Sequence, residues 1–478
     1  VGTKVYVWGC QLVRGTVAAS YYKTTDTISG PPRYSHDPET LTPTGLYLET
    51  AATNIQKGPV FNRQTILTNS ASDQRAGLNA DGVLSPMGTT KNVCKAFVDG
   101  SLGSTTQAFH IKTFGGSDGA TFTTQNIHTS SVFVKPINTN FWRLATSDQY
   151  ASATDGGDDA FMPCDFELTG SGRFFNQHSG LAATGIPPTI EKYSNGWWRL
   201  SISYFRSNHT GSEAANRDTG VLVYPIYSNA GPTATSGHTY TTYEQFKSRL
   251  GYTDAQLNES PVTVGYFFGP QIEDGKFPTS YIPTSGEEAT RSADIYTSTA
   301  TEVLDRANGT KPAFYTTEGL TLRSYCKYNN EFPLPAISDG TIPSTHQFAR
   351  LFHFQGNGSW HGNPTSWRHW ATPAYPIFST YSQISNLYAQ QLHITEDIPV
   401  VLRYQTNNSN LRVGNGSNNT ADTSMTTAKF DRVYIGSDQV GTNLMNGTIN
   451  RFTIWKIPFN EEEASPAGIL QRLSEYKN

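Results

Sequence analysis

Short apolar runs alternate with polar, glycine-rich breaks along nearly the whole chain. Between about Phe61 and Asp294 the runs SSVFVKPI, NFWRLAT, GWWRLSISYF, GVLVYPIY and VTVGYFFGPQI are strand-length and rich in aromatic and β-branched residues. Gly, Asn, Ser and Asp separate them, which is the pattern of antiparallel strands joined by turns. From about Thr297 the rhythm restarts with LTLRSYCKY, FARLFHFQG, IPVVLRYQT, LRVGNG, RVYIGS and GTINRFTIWKI. The pairs Asn415-Gly416 and Asn446-Gly447 suit tight hairpins. The expected fold class is all-β, with tandem antiparallel β-sandwiches and few short helices. One helix is expected in TTYEQFKSRLGYTDAQL, where Thr241 and Glu244 form a capping-box pattern and Phe246 and Leu250 stand four apart. Another is expected in SPAGILQRLSEY, with Ser465 as N-cap and Pro466 at the first position.

One pattern occurs twice. YVWGCQLVRGTVAASYYKTTD (Tyr6–Asp26) aligns without a gap on YFFGPQIEDGKFPTSYIPTSG (Tyr266–Gly286). The pairs Tyr6/Tyr266, Gly9/Gly269, Gln11/Gln271, Gly15/Gly275, Ser20/Ser280, Tyr21/Tyr281 and Thr24/Thr284 are identical. Chance would supply roughly one or two such matches, so this is an internal repeat. Each copy reads as a strand, a glycine turn and an extended exit, which Pro278 and Pro283 keep from becoming helical in the second. An exit near residue 295 closes one sandwich, so the first copy is expected to close another whose body lies upstream or on another chain. The expected organisation is therefore residues 1–29 as that closing element, 30–56 as a proline-rich connector, 57–296 as one sandwich and 297–478 as a second.

Composition narrows the function classes. At 478 residues the chain is too long for one ordinary core. Charged residues make up 15%, against about 25% in typical soluble proteins, so Ser, Thr, Asn and Gly must cover the surface. A net charge of −4 leaves no electrostatic footprint for nucleic acid or an anionic membrane. No apolar run approaches the roughly 20 residues of a membrane-spanning helix. The N-terminus shows neither a signal-peptide pattern nor an initiator Met, and the chain is expected to be a processed or partial product. Cys10, Cys94, Cys164 and Cys326 are scattered singly, without zinc-ligand spacing, and are read as buried thiols.

Candidate chemistry is sparse. Glycan cleavage needs two carboxylates aimed at one glycosidic bond, yet DGGDD (Asp155–Asp159), EDG and EEE (Glu461–Glu463) read as turns or helix starts, and no E-x-D-x-x-E occurs. In GNGSWHG a Ser stands beside a His, but neighbours on a strand face opposite ways. DGGDD offers hard oxygen ligands without EF-hand spacing and reads as a solvated loop. No catalytic residue, metal or cofactor is assigned. The densest anomaly is NGSWHGNPTSWRHWATPAYPIF (Asn357–Phe378), read as loop-like and proline-broken. Its Trp360, Trp367, Trp370 and Tyr375 could stack on sugar rings, with His361, Arg368 and His369 hydrogen-bonding hydroxyls. The competing reading is packing against a neighbouring domain or oligomer partner, where Trp and Arg are also enriched. Trp197 and Trp198 are adjacent on an expected strand, so one must face inward, and they are assigned to the core.

Four segments together resemble a module of tailed-phage virion proteins: WGCQLVRGTVAASYYKTTD, PRYSHDPETLTPTGLYLETAATN, NGWWRLSIS and FFGPQIEDGKFPTSYIPTSGEEATRSADI. In that family a WGAQLE…G…TSYIPT…TRAAD ending follows a carbohydrate-binding-like jelly roll, and a PR-x-DYDP…GLLIE…TN connector recurs. The ending YIGS…MNGTINRFTIWKIPFNEEE…ILQRL resembles a laminin-G or concanavalin A-like lectin domain. The first copy departs from the pattern, with Val13 in place of Glu and SYYKT in place of SYIPT. The resemblance implies jelly-roll and concanavalin A-like sandwiches in a non-enzymatic virion protein, a tail-fibre or appendage segment that attaches to host-surface glycan. It implies a homotrimer among other virion proteins, located on the extracellular particle after assembly in the host cytoplasm. The alternatives are a tailspike polysaccharide depolymerase, a head-attached decoration fibre, and a secreted bacterial lectin or adhesin.

Overall fold

The computed structural model describes residues 33–56, 76–78, 82–98, 111–112, 127–146, 151–152, 162–206, 221–226, 248, 250–260, 262–294, 296–299, 320–328, 350–356, 365–369, 376–381, 386–390, 398–404, 409–413, 419–422, 430–435 and 447–455. The chain is an all-β protein of antiparallel sheets. Strands β1 (Tyr34–His36), β2 (Pro43–Leu48) and β3 (Ala52–Asn54) come first. Next are β4 (Ala76–Leu78), β5 (Cys94–Val98), β6 (Ile111–Lys112), β7 (Ile127–Pro136), β8 (Phe141–Thr146) and β9 (Ala151–Ser152). Then come β10 (Met162–Glu167), β11 (Arg173–Phe175), β12 (Thr189–Lys192), β13 (Trp198–Arg206), β14 (Val221–Pro225) and β15 (Val262–Asp274).

Strands β4 to β15 form the first sandwich. One sheet runs β11-β10-β8-β14-β6, and the other β12-β13-β7-β15-β5-β4, with β9 beside β13. Alternation of residues along each strand sends Trp142, Leu144, Cys164, Phe166, Val221 and Val223 of the first sheet against Val132, Val134, Leu200, Ile202, Val264 and Phe267 of the second. Trp142, one of the two tryptophans of this core, is fully buried. It fits because β15 carries glycine at 265, where a Cβ would lie 2.5 Å from the indole. The outer side of the five-stranded sheet holds one buried ion pair, Arg143 Nε and Nη2 donating to the Asp165 carboxylate at 2.5 and 2.9 Å. Asn176 Nδ2 adds a bond of 3.1 Å to the same carboxylate, so the buried charge is both paired and hydrogen-bonded.

Among the described residues the helices with full ranges are short, α1 (Ser179–Ala183) and α2 (Asp254–Glu259), and Ser248 and Leu250 are also helical, within the stretch where a helix is expected. A capping box does start α2, but it is formed by Thr253 and Gln256. Thr241, Glu244 and the Ser465 helix lie outside the described residues. Cys94, Cys164 and Cys326 are buried free thiols, and burial pushes the Cys164 thiol up well above its ordinary pKa. Cys10 is outside the described residues.

After β16 (Ala289–Arg291), which pairs with β3, a second group begins. It comprises β17 (Tyr296–Thr299), β18 (Leu320–Tyr328), β19 (Arg350–Gly356), β20 (Thr365–His369), β21 (Pro376–Tyr381) and β22 (Asn386–Gln390). It continues with β23 (Ile398–Tyr404), β24 (Ser409–Val413), β25 (Asn419–Asp422), β26 (Phe430–Ile435) and β27 (Gly447–Trp455). One sheet runs β17-β26-β19-β20-β21-β22; the other runs β1-β2-β27-β18-β23-β24-β25. Strands β21 and β22 of the former lie against β24 and β25 of the latter. The stretch read as a connector therefore supplies two strands to this second sheet. GLYLE has the alternation of a strand, and β27 has an edge for it to pair with.

Candidate functional site

The repeated pattern becomes intelligible at the end of β15. The pairing of β15 with β7 slips between Phe268 and Gln271, a bulge that bends the strand. Gly269 sits there at φ +61°, and the Tyr281 ring lies so close that a Cβ would be 2.9 Å away. Tyr281 packs on Phe268 with ring centroids 5.1 Å apart and meets Phe133 edge-on. It thereby folds the exit segment back over the outer face of the second sheet. There Val93, Phe133, Trp197, Tyr266 and Phe268 form a second apolar cluster.

Polar contacts hold the fold-back. Gln271 Oε1 accepts from the Ile282 N–H at 2.7 Å, and its Nε2 donates to Glu273 at 2.5 Å. Glu273 also accepts from the Thr279 N–H at 2.9 Å and from Thr279 Oγ1 at 2.5 Å. Burial raises the Glu273 carboxyl above its ordinary pKa, despite the opposing bonds from Thr279 and Gln271 and the charge of Arg199. Gly275 takes φ +137° at the turn, and Thr284 is buried. Thus the residues identical between the two copies are those that shape this bend. Glu273 and Thr279, hydrogen-bonded to each other, are replaced together in the first copy by Val13 and Ala19. That copy lies outside the described residues.

The exit then meets the lead-in strands at a charged cluster. Arg33 Nε donates to Asp294 Oδ1 at 2.8 Å, and its Nη2 donates both to the second Asp294 oxygen and to Glu49 Oε2, the latter at 2.8 Å. Arg33 Nη1 reaches Ser280 Oγ at 3.3 Å. Glu49 Oε1 accepts from Tyr47 OH at 2.9 Å and from the Ser280 N–H at 2.7 Å. Arg291 Nη1 stands 3.2 Å from Glu49 Oε2, while its Nη2 donates to the Thr50 carbonyl at 2.9 Å. The backbone closes the ring: the Asp294 N–H donates to the Glu49 carbonyl at 2.9 Å, and the Glu49 N–H donates to Asp294 Oδ2 at 2.8 Å. Below it, Asn54 Nδ2 donates to the Ile282 carbonyl at 2.9 Å, and Asn54 Oδ1 accepts from the Ile272 N–H at 3.1 Å.

Two guanidinium groups and two carboxylates meet here, and Glu49 is 1% exposed. Burial pushes the Glu49 carboxyl up. The charge of Arg291, the hydrogen bond and charge of Arg33, and the Ser280 bond together outweigh it and hold the carboxyl below the ordinary range. Burial also lowers the proton affinity of Arg33, but Asp294 and Glu49 reverse this and raise it overall. Tyr47 is raised, by burial first and by the Glu49 charge second. Such a cluster supplies cohesion, since the groups neutralise one another.

The sequence reading placed its candidates elsewhere. Trp367, Arg368 and His369 lie on β20, which pairs with β21 in the register Trp367↔Phe378, Arg368↔Ile377 and His369↔Pro376. This part of the stretch is a β-hairpin, not a loop, and Pro376 is tolerated because it begins its strand. Strand geometry puts positions 367 and 369 on one face of the sheet and position 368 on the other. Trp360, His361, Trp370 and Tyr375 lie outside the described residues, as does DGGDD. Trp197 and Trp198 are both buried, on opposite faces of one sheet: Trp198 joins the inter-sheet core and Trp197 the outer cluster. Trp197 Nε1 donates to the Leu84 carbonyl at 2.9 Å. Among the described residues no group of three or more His, Cys, Asp or Glu could hold a metal ion.

The charged cluster was not anticipated, although every member stands in a segment noticed for its pattern: Arg33 in PRYS, Glu49 in GLYLE, Asn54 in ATN, and Arg291 and Asp294 in TRSAD. The available signal was two opposite-charge pairs at the two ends of one module. Nothing local says that the ends meet.

No protein-family model matches the chain, and no curated protein matches it in sequence. Among solved structures it is similar to the mouse laminin alpha1 chain, domains LG4-5, at 9% identity and a TM-score of 0.21, covering 76% of this chain and 91% of that one. It is also similar to the LG1-3 region of the laminin alpha2 chain, at 9% identity and a TM-score of 0.22, covering 76% of this chain and 64% of that one. The chain thus spans less than two thirds of that second structure.

Proposed function

We propose that this chain is a non-enzymatic structural segment of a bacteriophage fibre or appendage, built from tandem β-sandwiches, that contacts glycan on the host surface. The observation that supports this reading most is the use made of the signature residues. Those through which the sequence resembles tailed-phage modules, Arg33, Glu49, Asn54, Gln271, Glu273, Arg291 and Asp294, bond to one another or to neighbouring backbone where one sandwich gives way to the next. A shaft made by repeating modules needs stiff joints of this kind. The proposed partners are further copies of the chain, as a homotrimer, and other virion proteins. The proposed glycan contact is the stretch Asn357–Phe378.

Two measurements test it. Antibody-gold labelling of intact particles should place the chain on a fibre or appendage; absence from the particle sinks the virion reading. On a glycan array, the full chain should bind host-surface oligosaccharides, and Trp360→Ala, Trp367→Ala and Trp370→Ala should each weaken binding by roughly 1 to 3 kcal/mol, the scale of aromatic hot spots. Unchanged binding with a lowered melting temperature would assign the stretch to packing. Shortening of the oligosaccharides would favour a depolymerase.

A further inference from the structure

Strand β2 belongs to two structures at once. Its backbone pairs with β27 in the register Leu46↔Ile449, Tyr47↔Thr448 and Leu48↔Gly447, which makes it part of the second sandwich. The Tyr47 hydroxyl, and the side chain of Glu49 just past the strand, bond instead within the cluster that ends the first sandwich. The hairpin of β1 and β2 is tied to the first sandwich at its tip as well, where the Ser194 N–H donates to the Pro38 carbonyl at 2.7 Å and Lys192 pairs with Glu39 at 2.5 Å. On the other side of the cluster, residue 295 alone separates Asp294 from β17, the edge strand of the other sheet of the second sandwich. Both sheets of that sandwich therefore begin at the same four charged residues.

Close approach at the β2–β27 pair is also specified by sequence. Gly45 has φ +127°, and a Cβ there would lie 2.5 Å from the Ile449 carbonyl oxygen. No residue with a side chain fits between the strands at this point. The partner strand is about 400 residues later in the chain, so pairing closes a long loop, and a β2 backbone already held in place spares the further entropic cost of ordering it.

We propose that the Arg33–Glu49–Arg291–Asp294 cluster is a coupling device: by fixing β2 against the exit of the first sandwich, it presents a preset edge on which β27 pairs. The order of the second sandwich's sheet then depends on side chains at the joint. This inference stands on the strand register and the ion pairs, and is independent of the fibre reading.

Hydrogen exchange read by mass spectrometry on the full chain tests it. In Glu49→Gln, peptides covering 447–455 and 320–328 should exchange about tenfold faster or more, the scale of losing a charged buried bond that supports a locally opening unit. Peptides covering 127–136 and 198–206, the centre of the first sandwich, should stay within about twofold. Arg33→Lys, which keeps the charge and loses the fork, should give the same pattern more weakly, and serves where Glu49→Gln does not fold. Gly45→Ala strikes the β2–β27 pair directly and should loosen 447–455 with the cluster intact. Glu167→Gln, in the exposed Arg173–Glu167 pair far along the chain, should leave all four regions unchanged. Full protection of 447–455 in both cluster variants overturns the proposal. So does equal loss of protection at 127–136, which would make the cluster a general stabiliser, and so does retained protection in Gly45→Ala.

Discussion

Arg33 and Asp294, 261 positions apart in sequence, share a two-pronged ion pair, with Nε 2.8 Å from one carboxylate oxygen and Nη2 on the other. The pair brings the lead-in of a sandwich to its exit. Both side chains are mostly withdrawn from water, Asp294 more than Arg33, so the pair is screened less than a surface one. Its fork geometry needs arginine in particular.

Breaking the cluster on one side leaves charge uncompensated. Glu49→Ala would strand Arg33 and Arg291 beside one remaining carboxylate, and should cost roughly 3 to 5 kcal/mol, the range for removing one partner of a buried pair. Chemical denaturation of the full chain, read at the first unfolding transition, checks this.

Acid should weaken the same joint. The folded Glu49 pKa is depressed, so its stabilisation is present above the ordinary carboxylate value and is lost as pH falls through the folded one. Wild-type stability should fall on titration from about pH 7 to about pH 3, and Glu49→Gln should show a shallower fall. Parallel pH profiles would contradict the assignment.

Glu273 should behave in the opposite sense. Its folded pKa is raised, so its favourable contribution is present below the ordinary value and is lost as pH rises through the folded one. Glu273→Gln should raise the denaturant midpoint at neutral pH, because an amide oxygen can still accept from Thr279 and Gln271 without a buried charge. A lowered midpoint at neutral pH would show the carboxylate to be needed.

The first copy of the repeat suggests a compensated exchange. Glu273→Val alone removes the acceptor of the Thr279 N–H and leaves Thr279 Oγ1 and Gln271 Nε2 only longer bonds of 3.4 Å to the Thr279 and Ser280 carbonyls, and Thr279→Ala alone removes a donor from the acid. Made together, as at Val13 and Ala19, they should be less harmful than the sum of the two, by about 1 to 2 kcal/mol in a double-mutant cycle. Additive effects would mean that the paired difference between the copies is accidental.

At the bulge, Gly269→Ala should destabilise by about 1 to 3 kcal/mol, since its Cβ meets both a left-handed φ and the Tyr281 ring at 2.9 Å. Adding Tyr281→Ala should not restore stability, because the φ penalty remains and the ring's contacts with Phe268 and Phe133 are lost. Thermal melting of the single and double variants decides it.

Strand identity was legible in the sequence because it is local. Strands run through most of SSVFVKPI, GWWRLSISYF, VTVGYFFGPQI and LTLRSYCKY and through the described part of GTINRFTIWKI, since alternation and β-branched content bear directly on a half-buried pleated surface. The bend after β15 left a mark in the sequence too, because its glycine at positive φ and the ring that covers it, Gly269 and Tyr281, are among the residues shared by the two segments. What Asn357–Phe378 would be was legible only in part, since its aromatic content does not say that positions 365–369 and 376–381 pair as a hairpin. The use of Arg33, Glu49, Arg291 and Asp294 was decided by the tertiary structure alone. A charged residue in a polar segment has the same local appearance whether it is solvated or clamped, and only the closure of a sandwich brings residues 33 and 294 within bonding distance. The same holds for β2. Its alternation made it a strand, but its partner was settled by which edge stood open beside it, a property of the assembled sheets and not of GLYLE.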